Sequence, residues 1–98
     1  MFEFYNGRTA KPEKERVLKD IADLFAHTVK ITDGTIRVYE SCDTEGLVFV
    51  RIDVGFILEF GTGLQRLSKI VERLYYMNIE PNGDKLTCHF AVDDVFEK

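Results

Sequence analysis

Val48-Phe49-Val50-Arg51-Ile52-Asp53-Val54-Gly55-Phe56-Ile57-Leu58-Glu59-Phe60 is the stretch that decides the fold. Its even positions, Val48, Val50, Ile52, Val54, Phe56, Leu58 and Phe60, are all apolar. A period of two puts them on one face of a long, half-buried strand, with Phe49, Arg51, Asp53, Ile57 and Glu59 on the other. Gly55, in mid-run, marks a bend or bulge.

The strand before it begins at Thr35. A four-residue loop, Asp43 to Gly46, would put the two apolar sets on opposite faces. A three-residue loop, Thr44-Glu45-Gly46, keeps them together and gives Gly46 the left-handed position that such hairpins need. That register sets Arg37 opposite Asp53 and Tyr39 opposite Arg51, both favourable cross-strand pairs. It turns Glu40 inward with Val38 and Cys42, which calls for a bulge near Tyr39 or a position beyond helix cover.

Further upstream, Val29–Thr32, Asp33-Gly34 and Thr35–Val38 spell another hairpin, because Asp-Gly accepts the positive φ angles of a type I′ turn. Before it, Val17, Leu18, Ile21, Leu24 and Phe25 recur at helical spacing, predicting a helix from about Pro12 to His27. Thr9 is its candidate N-cap, Pro12 suits the first turn, and Glu13 and Glu15 complement the dipole.

Downstream, a second helix is predicted from about Gly63 to Met77, opened by the capping box Thr62-x-x-Gln65. Leu64, Leu67, Ile70, Val71 and Leu74 form its apolar stripe, with Tyr75 and Met77 at the margins. Asn82-Gly83 is a tight turn into an alternating strand carrying Leu86, Cys88, Phe90 and Val92. Phe2–Tyr5 could add an edge strand. The order (β)-α-β-β-β-α-β implies an α+β two-layer sandwich, with two helices on one face of a mostly antiparallel sheet of four or five strands. It is ferredoxin-like if Val29–Thr32 is only a stub.

The chain has 98 residues, 45% hydrophobic and 31% charged, the balance of one globular domain. With 13 basic and 17 acidic residues it is a small acidic protein of net charge −4, which argues against duplex-DNA binding. The acidic excess is local: residues 31–60 hold 2 basic and 6 acidic groups. No apolar run is long enough for a membrane span, and no signal peptide is readable. Two cysteines, Cys42 and Cys88, are too few for a disulfide scaffold. Buried free thiols and a reducing, cytoplasmic location are expected.

The chemistry-bearing residues do not converge. His27 and His89 stand in no catalytic motif, and Asp53 and Glu59 lie too far apart along a strand to work as a carboxylate pair. Cys88 and His89 point to opposite faces, so they cannot close on one metal ion. Phe60-Gly61-Thr62-Gly63 lacks both the third glycine of a dinucleotide fingerprint and the lysine of a P-loop. The chain is therefore expected to be no enzyme and to take no cofactor or metal.

What remains is the outer sheet face, with Arg37, Tyr39, Ser41, Phe49, Arg51, Asp53, Ile57, Glu59, Thr87 and His89. Tyr39 and Phe49 are diagonal neighbours on it. Aromatic and arginine anchors rimmed by charge suit protein binding. A regulatory or inhibitory module is expected, with Arg37, Tyr39, Phe49, Arg51 and Ile57 as contact residues and Asp43 and Glu45 as an acidic docking tip. Such a face also permits a homodimer.

Two alternatives share these residues. Gly46-Leu47-Val48-Phe49-Val50 resembles the central strand motif of RNA-recognition motifs, which implies single-stranded RNA binding with Phe49 as a stacking platform. It departs from the motif at Glu45, where a basic residue belongs, at Leu47, where the first aromatic belongs, and at Glu3 in the first strand. The other alternative is an acidic inhibitor that blocks the nucleic-acid groove of an enzyme. On the second helix, Arg66, Lys69 and Arg73 make a basic stripe that Tyr76 continues.

Overall fold

Helix α1 spans Pro12–Thr32 and β1 spans Thr35–Glu40 in the computed structural model, which describes residues 8–55 and 63–97. They are followed by β2 (Val48–Gly55), α2 (Gly63–Val71), β3 (Tyr76–Asn82) and β4 (Lys85–Val92). The four strands form one antiparallel sheet in the order β1-β2-β4-β3. Each half of the chain is thus a helix followed by a hairpin, and the halves join through their second strands.

The α+β architecture with helices over one sheet face stands. The expected element order does not, since the described elements run α-β-β-α-β-β. Moving the first strand of the ferredoxin-like order β-α-β-β-α-β to its end gives this sequence of elements. The Phe2–Tyr5 strand, the Phe56–Phe60 continuation of β2 and the Thr62 cap lie outside the described residues, as do the side chains of Leu64 and Gln65.

Two corrections account for the new order, and a third concerns a register. Val29–Thr32 is the last turn of α1 and no strand. The helical stripe carries on through Thr28, Val29 and Thr32, which are partly buried, while Ile31 is left exposed. Asp33 ends the helix in the left-handed conformation (φ 52°, ψ 45°), and its N–H and that of Gly34 both donate to the Val29 carbonyl. Asp-Gly acts here as a helix stop. Gly34 has no positive φ; it is needed because a Cβ there would overlap the Asp53 carbonyl oxygen.

The β1–β2 register differs from the expected one by two residues. Arg37 faces Arg51, Tyr39 faces Phe49 and Glu40 faces Val48. A shift of two preserves the inward set, so the apolar pattern alone could not select between the two registers. The connection is consequently longer, and Cys42 lies exposed in it instead of in the core. Gly46 keeps the left-handed conformation, with φ 81°.

The second helix stops at Val71, six residues short of the expected end. Arg73 and Leu74 close it with N–H bonds to the Ile70 and Val71 carbonyls, three residues back. Tyr76–Asn82 is then a strand, so Met77 belongs to β3 and Tyr76 cannot extend the stripe of α2. The β3–β4 turn is Gly83-Asp84, one residue beyond Asn82-Gly83. Only Gly83 has a positive φ (66°), the pattern of a II′ turn.

The core lies between helices and sheet. Val17, Leu18, Ile21 and Phe25 of α1 and Ile70 of α2 meet Val48, Val50, Ile52 and Val54 of β2 and Cys88, Phe90 and Val92 of β4. Phe25 and Phe90 pack with ring centroids 5.7 Å apart. Gly55 ends β2 against α1: a Cβ there would come within 3.0 Å of the Thr32 side chain. The helix N-terminus has no side-chain cap, contrary to the expectation for Thr9, whose carbonyl instead accepts the Glu97 N–H at 2.9 Å.

Candidate functional site

The sheet registers set the outer face in rows across the strands. One row runs Tyr39 (β1), Phe49 (β2), Ala91 (β4) and Tyr76 (β3). The next runs Arg37, Arg51, His89 and Asn78, and the third Thr35, Asp53, Thr87 and Glu80. Aromatic, basic and polar groups are therefore sorted into adjacent bands.

In the aromatic row, Tyr39 and Phe49 are direct cross-strand partners with centroids 5.4 Å apart and planes inclined by 23°. Tyr75 donates its N–H to the Ala91 carbonyl at 2.9 Å, so two consecutive residues face Ala91 as in a β-bulge. The bulge turns both Tyr75 and Tyr76 toward the outer face. With Leu47 and Phe49 they line a groove of about 430 Å³ over Ala91. Tyr75 is 62% exposed and Tyr76 48%. These two tyrosines and Ala91 escape sequence reasoning because Tyr75 and Tyr76 read as the end of a helix. The signal for a strand was the alternation of Met77, Ile79 and Pro81 before a glycine turn.

The polar rows are held by side-chain bonds. The Arg51 guanidinium donates to both Asp53 carboxylate oxygens, at 3.0 and 3.4 Å. The buried Thr87 hydroxyl donates to Asp53 Oδ1 at 2.7 Å, and Asn82 Nδ2 donates to Thr87 Oγ1 at 3.4 Å. Partial burial works to raise the Asp53 carboxyl, but the Thr87 bond and the Arg51 charge outweigh it and leave the pKa below its ordinary value. Arg51 is thus paired with Asp53, while Arg37 stands exposed beside the aromatic row. His89 is half-buried on the other side of Arg51, on β4. Ile57 and Glu59 lie outside the described residues.

The acidic tip is a different end of the molecule. Arg8 donates to Glu40 Oε1 and Oε2 at 2.9 and 3.0 Å and to Glu45 at 3.3 Å. Glu40 also accepts the Gly46 N–H at 2.9 Å, which explains how its carboxylate tolerates an inward position. The Arg8 guanidinium lies 3.9 Å from the Phe96 ring centroid. Backbone bonds from Lys11 to Val95 and from Val95 to Gly46 tie the helix entrance, the chain end and the hairpin loop together. Lys11 and Lys14 pair with Asp94 and Asp93 at 2.6 and 3.3 Å. The bond to Asp94 raises the Lys11 pKa. Much of the acidic excess is therefore balanced locally; Asp43 and Glu45 are both exposed at the tip, Glu45 in its pair with Arg8.

The basic stripe of α2 is divided. Arg73 donates to Asp20 of α1 at 3.0 Å, while Arg66 and Lys69 stand exposed along a cleft of about 190 Å³. Among the described residues, no three His, Cys, Asp or Glu side chains gather as metal ligands. Among the same residues, no helix is long and apolar enough to cross a membrane. Comparison with protein-family models, curated proteins and solved structures finds no match.

Proposed function

We propose that this chain is a small non-catalytic binding protein that holds a partner protein against the outer face of its sheet, in a regulatory or inhibitory role. The supporting observation is the row Tyr39–Phe49–Ala91–Tyr76, which crosses all four strands and, with Tyr75, borders a groove over β2, β4 and the start of β3. Such a row offers large apolar contact area at low entropic cost, and the exposed Arg37 supplies directional donors at its border, with Arg51 held beside it by Asp53. The two unpaired cysteines suit a reducing, cytoplasmic setting.

The test is capture from a host extract by wild type, by Phe49→Ala/Tyr76→Ala and by a control changed on the opposite face, Lys19→Ala. A partner held by wild type and control but lost by the double variant supports the assignment. The same proteins on all three would sink it.

Single-stranded RNA is the second reading, favoured by the basic row Arg37–Arg51–His89 lying beside the aromatic row. It has less support, because Tyr39 and Phe49 occupy one ring face each on one another and Arg51 is bound to Asp53. It requires salt-sensitive binding of a mixed-sequence oligonucleotide that Phe49→Ala abolishes. The acidic-inhibitor alternative retains Asp43 and the outer part of Glu45 as its contacts.

A further inference from the structure

Among the described residues, five of the seven exposed large hydrophobic side chains lie within residues 71–79: Val71, Tyr75, Tyr76, Met77 and Ile79. They belong to the end of α2, to the connection after it and to β3, which lies at the edge of the described sheet. Met77 and Ile79 point toward the helix layer, in step with Phe90 and Cys88 on β4. Those β4 residues are fully buried, yet Met77 and Ile79 are 39% and 38% exposed. The helix layer stops short of the last strand.

Among the described residues, no strand pairs with the outer edge of β3. Asn82 and Lys85 close the two-residue turn, so Tyr76, Asn78 and Glu80 direct their N–H and C=O groups toward β4. Met77 and Ile79 direct theirs outward. The window is limited at one end by Pro81, which has no N–H, and at the other by Tyr75, whose N–H is bonded to Ala91.

We infer that this edge pairs with the β3 edge of a second copy of the chain, antiparallel about a two-fold axis at Asn78. In that register Met77 and Ile79 of one copy exchange N–H to C=O bonds with Ile79 and Met77 of the other. Their side chains meet on the helix side, where they complete each other's cover. On the outer face Tyr76 stands opposite Glu80, and Asn78 meets its own equivalent.

The neighbouring registers are worse. An axis at Ile79 sets Met77 against Pro81 and loses a donor. An axis at Glu80 places two carboxylates side by side. An axis at Met77 requires the Tyr75 N–H that Ala91 already holds. The edge is therefore self-complementary in one register, as an isologous interface must be. Its single charge, Glu80, faces no like charge there. The sheet would become eight strands wide, with the aromatic row of each copy running into the Glu80–Thr87–Asp53 row of the other. Self-association moves from the open face, where the sequence suggested it, to the strand edge, and it does not depend on what the open face binds.

The test is sedimentation equilibrium of the full chain over a wide concentration range, with hydrogen exchange at the Met77 and Ile79 amides. Wild type is expected to form a dimer, and those two amides to slow as it forms. Ile79→Lys should give a monomer. Asn78→Lys, on the outer face opposite His89, should do the same by setting two charges across the axis, with circular dichroism unchanged. Glu80→Lys, which faces Tyr76, should remain a dimer. A wild-type monomer at every concentration overturns the assignment, as does a dimer that survives Asn78→Lys with the two amides still fast.

Discussion

Tyr39 and Phe49 stand directly opposite each other on β1 and β2, with their rings stacked at 5.4 Å. A pair of this kind contributes about 0.5–1.5 kcal/mol beyond the area it buries. Yet Tyr39 remains 42% exposed. The pair therefore steadies the face more than it sustains the fold. Tyr39→Ala and Phe49→Ala should each lower stability modestly. A double-mutant cycle by urea denaturation should return a coupling of about 1 kcal/mol. Coupling near zero would mean that the rings do not stack in solution.

Glu40 is the group that holds the β1–β2 loop. Its carboxylate joins Arg8 to the Gly46 N–H, with 22% of the side chain exposed. Glu40→Ala removes an acceptor for a charged donor and for a half-buried N–H. The expected loss is about 1–2 kcal/mol, toward the low end because Arg8 can turn to water. Arg8→Ala should lose less than Glu40→Ala, since the Gly46 bond survives. Equal losses in thermal unfolding would show that the Gly46 bond contributes nothing.

Asp53 makes stability depend on acid. Its folded pKa lies below the unfolded value of about 3.9, so its contribution is complete above that value and is lost as pH falls through the folded pKa. Urea midpoints of wild type should therefore fall below about pH 4. Asp53→Asn should be less stable at neutral pH and show a flatter acid limb. Thr87→Val, which removes the strongest bond holding the carboxylate ionised, should move the limb toward higher pH.

The two thiols should differ sharply. Burial pushes the Cys88 thiol up to about 11, with the Asp53 charge adding to the effect. Cys42 is exposed in the loop. At pH 8, about one Cys88 in a thousand would be thiolate even if reagent could reach it. A thiol reagent should modify one group per native chain, mapped to Cys42 by peptide mass. Both should react in denaturant. Rapid modification of Cys88 in the native protein would contradict its place in the core.

Asp33 and Gly34 separate a helix stop from a hairpin turn. Asp33→Gly relieves a left-handed aspartate and should stabilise by about 0.5–1 kcal/mol. Gly34→Ala drives a methyl group into the Asp53 carbonyl and should cost about 1–3 kcal/mol. Backbone chemical shifts of Val29–Thr32 should be helical in wild type.

How far the sequence could be read follows from these same residues. The inward sets of β2 and β4 and the apolar stripe of α1 were legible, because period two and period 3.6 leave distinct patterns. The left-handed Gly46 was legible from the demand of a tight loop. The end of α1 was not, because β-branched residues followed by Asp-Gly describe a hairpin as well as a helix stop. Tertiary contact decides: Thr32 packs on Gly55, and Gly34 passes under Asp53. The β1–β2 register was hidden by the equivalence of shifts of two, and the bond from Glu40 to Gly46 helps to fix it. The site was legible on β1 and β2, where Arg37, Tyr39, Phe49 and Arg51 share the outer face. Its other wall, Tyr75 and Tyr76, was hidden by reading β3 as helix.

The central claim, that the outer face of the sheet receives a partner protein, is tested most directly by site-specific crosslinking. A photoreactive phenylalanine analogue would replace Phe49 in one version of the chain and Lys19, on α1, in another. Both would be irradiated in the same host extract. The account predicts a discrete crosslinked protein from position 49, suppressed by added wild-type chain, and none from position 19. Crosslinks from position 19 alone, or none competed from position 49, would contradict it.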